Sequence, residues 1–155
     1  MLAQESDLNI IEIPVKYIHN RNSKVNVFSQ TIKKDLDEKK IGTLNCSYQM
    51  SVKVGESDTS FYVYCSFQNQ KYSSIIDIGS IMITTMEERD EMVSDLKECL
   101  KYMDDKSISF SIGQFDLYDF SKNLYINDER KYTTMRKKDV LKWIEWLESI
   151  KKIKF

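Results

Sequence analysis

Glycine and proline are nearly missing from this 155-residue chain, which has four of the first and one of the second. Gly42, Gly55, Gly79 and Gly113 stand alone. Neither G-x-x-x-x-G-K nor G-x-G-x-x-G can be written anywhere, which excludes a P-loop or Rossmann phosphate cradle. The same scarcity argues against flexible inter-domain linkers, and one domain over residues 1–155 is expected. Histidine occurs once, as His19 in the turn cluster His19-Asn-Arg-Asn-Ser-Lys24. Serine and cysteine triads need a histidine base, and most zinc sites use histidine with cysteine, so His19 reads as a surface turn residue. The three cysteines are odd in number and form no C-x-x-C pair, which suits a reducing compartment.

Long apolar runs are absent too. Nothing approaches the roughly 20 residues needed to span a bilayer. Met1-Leu-Ala-Gln-Glu-Ser-Asp7 has neither a basic nor an apolar region, so no signal peptide and no membrane contact are expected, and the expected location is cytoplasmic. Charge of one sign is not in excess. With 23 basic and 24 acidic side chains, no overall field draws the chain to nucleic acid or membrane. No catalytic residue, cofactor or metal ligand is expected.

What is present is pattern. Leu44-Asn-Cys-Ser-Tyr-Gln-Met-Ser-Val-Lys-Val54 alternates apolar and polar residues for eleven positions. After the polar stretch Gly55–Ser60, Phe61, Val63, Cys65 and Phe67 continue the apolar face, which predicts a hairpin. Aligning Val54 with Phe61 sets Val52 against Val63 and Met50 against Cys65. Cys46 and Cys65 then lie about 13 Å apart along the strands, too far to bridge. A tighter two-residue turn at Gly55-Glu56 puts them opposite each other instead, and the sequence leaves both open. The other face, Asn45 to Lys53 beside Tyr62 and Tyr64, is wet, as in an antiparallel sheet.

Other elements follow. Residues 9–18 read as a strand that Pro14 confines to an edge, with a short partner near Val25–Phe28. Residues 29–41 read as a short helix capped by Ser29, carrying Ile32 and Leu36 and ending at Gly42, with the charged Lys33–Lys40 run as a hairpin tip the alternative. Tyr72–Thr84, with Ile75-Ile76 and Ile81-Met82-Ile83, reads as a central strand in which Gly79 marks a bulge or a close approach. Thr85-Met-Glu-Glu88 is a capping box, and the stripe Met92, Val93, Leu96, Cys99, Leu100, Met103 predicts a helix over 86–103. Ser107–Phe120 reads as one strand bulged at Gly113, Leu124–Ile126 as a returning strand, and 137–151 as a helix with a wide apolar face that includes Trp143 and Trp146. The expected class is α+β: a mostly antiparallel, twisted sheet packed on one face by two amphipathic helices.

Three functional readings compete. Asp116 and Asp119 precede Glu129-Arg-Lys131, an acidic group plus E-x-K of the kind that holds Mg²⁺ in a nuclease. In a chain that is 30% charged such triplets also arise by chance, and Glu38-Lys-Lys40 is another. From Arg130 to Phe155 nine basic residues face three acidic ones, a surface for nucleic acid. Yet Trp143 and Trp146 belong to the apolar stripe there, so a solvated basic face is the plainer account and nucleic acid is not the expected partner. From Glu87 to Lys106 eight acidic residues face four basic ones. The preferred reading is a small non-enzymatic binding protein that occludes a protein partner, in the manner of a toxin-immunity protein or a phage counter-defence inhibitor. Its expected contacts are Tyr62 and Tyr64 on the wet face, and Glu87, Glu88, Asp90 and Glu91 in the first turns of the helix, set against a basic partner surface. Oligomeric state is not legible.

Overall fold

The computed structural model describes residues 8–14, 28–53, 58–104, 109–118 and 122–155. His19, Asp119, the strand residues expected at 25–27 and the hairpin tip at 54–57 lie outside them. The expected α+β class stands, built from antiparallel strands and two helices. The strands divide into two sheets. The first has five strands in sequence order: β1 (Leu8–Pro14), β2 (Phe28–Ile41), β3 (Leu44–Lys53), β4 (Thr59–Gln68) and β5 (Ile78–Ile83). The second has four: β6 (Phe110–Ile112), β7 (Phe115–Leu117), β8 (Asn123–Asp128) and β9 (Lys131–Arg136). Helix α1 (Met86–Tyr102) links the sheets, and α2 (Lys137–Ser149) follows the second.

The helix expected over 29–41 is instead the 14-residue strand β2, laddered to β1 on one side and β3 on the other. Ile32 and Leu36 are four residues apart, a spacing that shares a helix face and, being even, a strand face as well. Pairing decides between them: Thr31–Lys34 is laddered on both sides, and the ladder to β3 runs on to Ile41 with a shift at Leu36, between Asp35 and Asp37. Pro14 ends β1, an edge strand, where a missing N–H is tolerated.

The β3–β4 register is Cys46 opposite Cys65, Tyr48 opposite Val63 and Met50 opposite Phe61. It replaces the Val54–Phe61 alignment by a shift of four residues, the one the tighter turn implies. An even shift keeps every side chain on its face, so hydrophobic pattern alone cannot separate the two. Tyr72–Thr84 also differs from expectation. Only Ile78–Ile83 is strand, it lies at the sheet edge, and Ile75 and Ile76 are exposed in the preceding bend. Gly79 is a close approach: a Cβ there would sit 2.4 Å from Cζ of Phe67.

Ser107–Phe120 is no single bulged strand. Ile112 pairs with Phe115, so Gly113 and Gln114 form a hairpin turn in which Gly113 takes φ +55°. That conformation favours glycine, and the reversal accounts for the switch in apolar parity. The strand Lys-Tyr-Thr-Thr-Met-Arg (β9) has no counterpart in the sequence reading.

One buried cluster joins these parts. Leu44, Cys46, Val63, Cys65, Phe67, Ile81 and Ile83 from the first sheet meet Phe115, Leu117, Leu124, Ile126 and Met135 from the second. Val93, Leu96, Cys99, Val140, Trp143, Ile144 and Leu147 of the helices complete it, and Phe115 meets Trp143 edge to face at 6.0 Å. Polar ties join the sheets as well. The buried Asn69 donates from Nδ2 to Asp77 (3.0 Å) and accepts from the Tyr132 N–H (3.3 Å), and Lys131 pairs with Asp77 at 3.1 Å. The last residues return to the first sheet, where Phe61 and Lys154 exchange two backbone hydrogen bonds at 2.7 and 2.9 Å. None of the described helices is long and apolar enough to cross a membrane.

Candidate functional site

Helix α1 begins as its sequence demands. Thr85 Oγ1 accepts the Glu88 N–H at 3.0 Å. Glu88 reaches one residue further back than a standard capping box, accepting from Thr84 N (3.3 Å) and Thr84 Oγ1 (3.1 Å). This carboxylate is therefore committed to the helix start. Arg89, on the next side of the helix, donates to the carbonyls of Leu147 (3.4 Å) and Ile150 (2.6 Å), closing the C-terminal end of α2 with positive charge. Asp90 pairs with that guanidinium. Glu87 is exposed.

The four acidic residues expected as one patch thus separate. Glu88 and Glu91 turn toward β5 with Asp95, which the sequence reading omitted. These positions fall at i, i+3 and i+7, one face of a helix, and that spacing was the available signal for Asp95. They line a groove opposite Ser80 and Met82 of β5 and the Gly113-Gln114 turn, with Ile81, Ile83, Met92 and Phe115 beneath. Gly113 lets the turn come close, since a Cβ there would lie 3.2 Å from Asp95 Oδ2. Burial, aided by the charge of Glu91, pushes the Asp95 carboxyl up from its ordinary value. Among the described residues no lysine or arginine lines the groove. It is a slot with carboxylates along one wall and methionine, isoleucine and phenylalanine side chains below. Methionines adapt their shape to what they cover.

Tyr62 and Tyr64 also part company. Tyr62 is 6% exposed, with its ring edge-on to Phe155 at 5.5 Å where the C-terminal residues return. Nothing in the local sequence marks that cover. Tyr64 is half-buried on the outer face of the first sheet, between Ser47 and Met82. It borders a shallow polar concavity with Glu38, Lys40, Asn45 and Gln49.

The E-x-K residues are occupied separately. Asp116 accepts from Ser111 and Asn127, Glu129 sits exposed in the β8–β9 turn at φ 54°, and Lys131 donates to the Ile78 carbonyl as well as pairing with Asp77. Among the described residues no group of three or more His, Cys, Asp or Glu is placed to hold a metal ion. Trp143 (0% exposed) and Trp146 (5%) lie in the core, and Trp146 Nε1 donates to Asp37 at 2.9 Å. The three cysteines are free and buried. Burial, with Asp95 nearby, pushes the Cys99 thiol up to about 12, far from a reactive thiolate. The chain matches no protein-family model, no curated protein and no solved structure.

Proposed function

We propose that this chain is a non-enzymatic binding protein that works by covering a surface of a protein partner, and that the groove beside α1 receives a basic segment of that partner. One observation carries the reading: Glu91 and Asp95, beside the Thr84-bound Glu88, line the groove over Met92 and Ile83 with no cation among the described lining residues. A lysine or arginine lays its methylenes on an apolar floor while its charged head meets carboxylates. Asp95, held partly out of water, gains most from such a cation. A cytoplasmic immunity protein or a phage-type inhibitor of a bacterial enzyme fits this picture by size and by the absence of catalytic motifs, which is an analogy of kind.

The test uses the intact chain as bait, with a partner identified by mass spectrometry and then titrated as a pure protein. Glu91→Lys is expected to weaken binding at least tenfold and to reduce the association rate, with the loss masked at high salt. Asp90→Lys, on the other side of the helix, is expected to change it little. Equal binding by wild type and Glu91→Lys would remove the groove as the contact. A purified chain that turns over a substrate on its own would remove the non-enzymatic reading.

A further inference from the structure

The outer face of the second sheet carries a row of tyrosines. Tyr118, Tyr125 and Tyr132 recur every seven residues in the sequence. The reversals between β7, β8 and β9 turn that spacing into a diagonal across the sheet. Tyr118 and Tyr125 meet edge to face with centroids 4.9 Å apart, and Tyr125 and Tyr132 lie 5.6 Å apart at 33°. Opposed residues of a sheet share a face, and the pairs Asp116–Tyr125, Tyr125–Thr134, Asn127–Tyr132 and Asn123–Arg136 fix this one as Tyr, Asn, Thr and Arg. The core-facing set, Phe115, Leu117, Leu124, Ile126 and Met135, is buried beneath it.

Cations flank the row at both ends, although the chain as a whole is at −1. Arg136 stands on the face opposite Asn123, with its side chain 66% exposed and its Nε 3.6 Å from Asp139 Oδ2. Lys122 flanks Asn123 and is exposed. At the other end the Gln70 N–H donates to the Tyr132 carbonyl, which brings in Lys71 and Tyr72, with Nζ of Lys71 5.7 Å from the Tyr72 ring. The carboxylate on the face, Asp116, has both oxygens engaged by Ser111 and Asn127.

We propose that this face binds single-stranded nucleic acid, with bases stacking on the tyrosine row and phosphates meeting Lys71, Lys122 and Arg136. A row of rings, open at Tyr118 and half-buried at Tyr125 and Tyr132, beside surface cations matches a polymer that alternates flat bases with anionic phosphates. The site is separate from the α1 groove and shares no residue with it.

The test is fluorescence anisotropy of labelled oligothymidylate and oligouridylate, about 12 nucleotides long to cover one site, at low salt and then with salt added. Saturable binding is expected to weaken with salt at a log–log slope of about −2, from three cations on a single strand. A duplex of equal length is expected to bind more weakly. Tyr118→Ala, at the exposed end of the row, and Tyr125→Ala are each expected to weaken binding about 5- to 150-fold, the range for one lost base stack. Tyr125→Phe is expected to retain it, because the ring and not the hydroxyl does the stacking. Circular dichroism of each variant checks that the sheet remains folded. The proposal is overturned by no binding of either oligonucleotide at low salt, by binding that survives both alanine variants, by a duplex bound as tightly as the single strands, or by loss in Tyr125→Phe equal to that in Tyr125→Ala.

Discussion

Cys46 and Cys65 stand directly opposite each other on β3 and β4, with their sulfurs 3.3 Å apart. The ladder sets the character of the pair. Phe61 sends both backbone groups to Lys154, on the β5 side of β4, so Val63 and Cys65, at even steps from it, point the same way. Toward β3, Cys65 is therefore in a non-hydrogen-bonded pair, the kind in which opposed Cα atoms lie about 4.5 Å apart. That falls within the range a disulfide spans.

Oxidation with a small-molecule disulfide such as oxidised glutathione is therefore expected to join Cys46 to Cys65. Two thiols lose two protons and two electrons to the reagent, which leaves as two thiols, and the protein loses about 2 Da. The reaction is expected to be slow. The Cys46 sulfur accepts the Cys65 thiol proton, and that contact, with burial, holds the Cys65 thiol well above its usual range. Mass spectrometry after digestion checks the pairing. A bridge that includes Cys99, or no bridge even in mild urea, would count against the β3–β4 register.

Gly79→Ala is expected to destabilise the fold by about 1–3 kcal/mol, since its Cβ would meet the Phe67 ring at 2.4 Å. Phe67 is 1% exposed and has little room to move. Urea unfolding of Gly79→Ala, Phe67→Leu and the double variant checks this. The double variant should lose less than the sum of the singles, because the smaller side chain relieves the clash.

Two aspartates carry opposite pH signatures. Burial, with Glu91, raises the Asp95 pKa above 3.8, so folding disfavours its charge. Its contribution is most favourable below 3.8 and is lost as pH rises through the folded value. Asp95→Asn is accordingly expected to raise Tm at pH 7 by about 1–3 °C, with no gain near pH 3. Asp77 runs the other way. Hydrogen bonding from Asn69 and then Lys131 lowers its pKa, so its contribution is present above 3.8 and lost as pH falls through the folded value. Asp77→Asn is expected to lower Tm at pH 7 and to match wild type in acid. Thermal melts from pH 3 to 7 check both signs.

Removing residues 152–155 is expected to lower Tm by several degrees, on the order of 1–2 kcal/mol. The deletion takes away the paired hydrogen bonds with Phe61, the Tyr48 hydroxyl's acceptor on Lys152 and the Phe155 ring over Tyr62. Binding of a hydrophobic dye should rise as Tyr62 is uncovered. An unchanged Tm would show that this return contributes nothing.

Legibility in the sequence followed the range of the forces involved. Helix α1 could be read whole, because Thr85, Glu88 and the stripe through Leu96 and Cys99 act within a few residues of one another. The faces of β3 and β4 could be read from alternation, but the register could not. Strand β2 was hidden because Ile32 and Leu36 satisfy both periods, and β9 was passed over although Tyr132, Thr133 and Thr134 favour strands. Of the candidate site, Glu88 and Glu91 were visible as charges. Their separation from Asp90 depends on helix phase, and the burial of Tyr62 depends on residues 93 positions further along. The tyrosine row shows in the sequence only as a spacing of seven, which becomes a row through two chain reversals.

Part of the outer edge of β5 is already engaged. Its Ser80 N–H donates to Asp128 at 2.8 Å, its Ile78 carbonyl accepts from Lys131 at 2.9 Å, and Lys154 bridges to Phe61 just past its end. A foreign strand docking there must first displace these contacts, so the second sheet and the C-terminal return guard part of this edge.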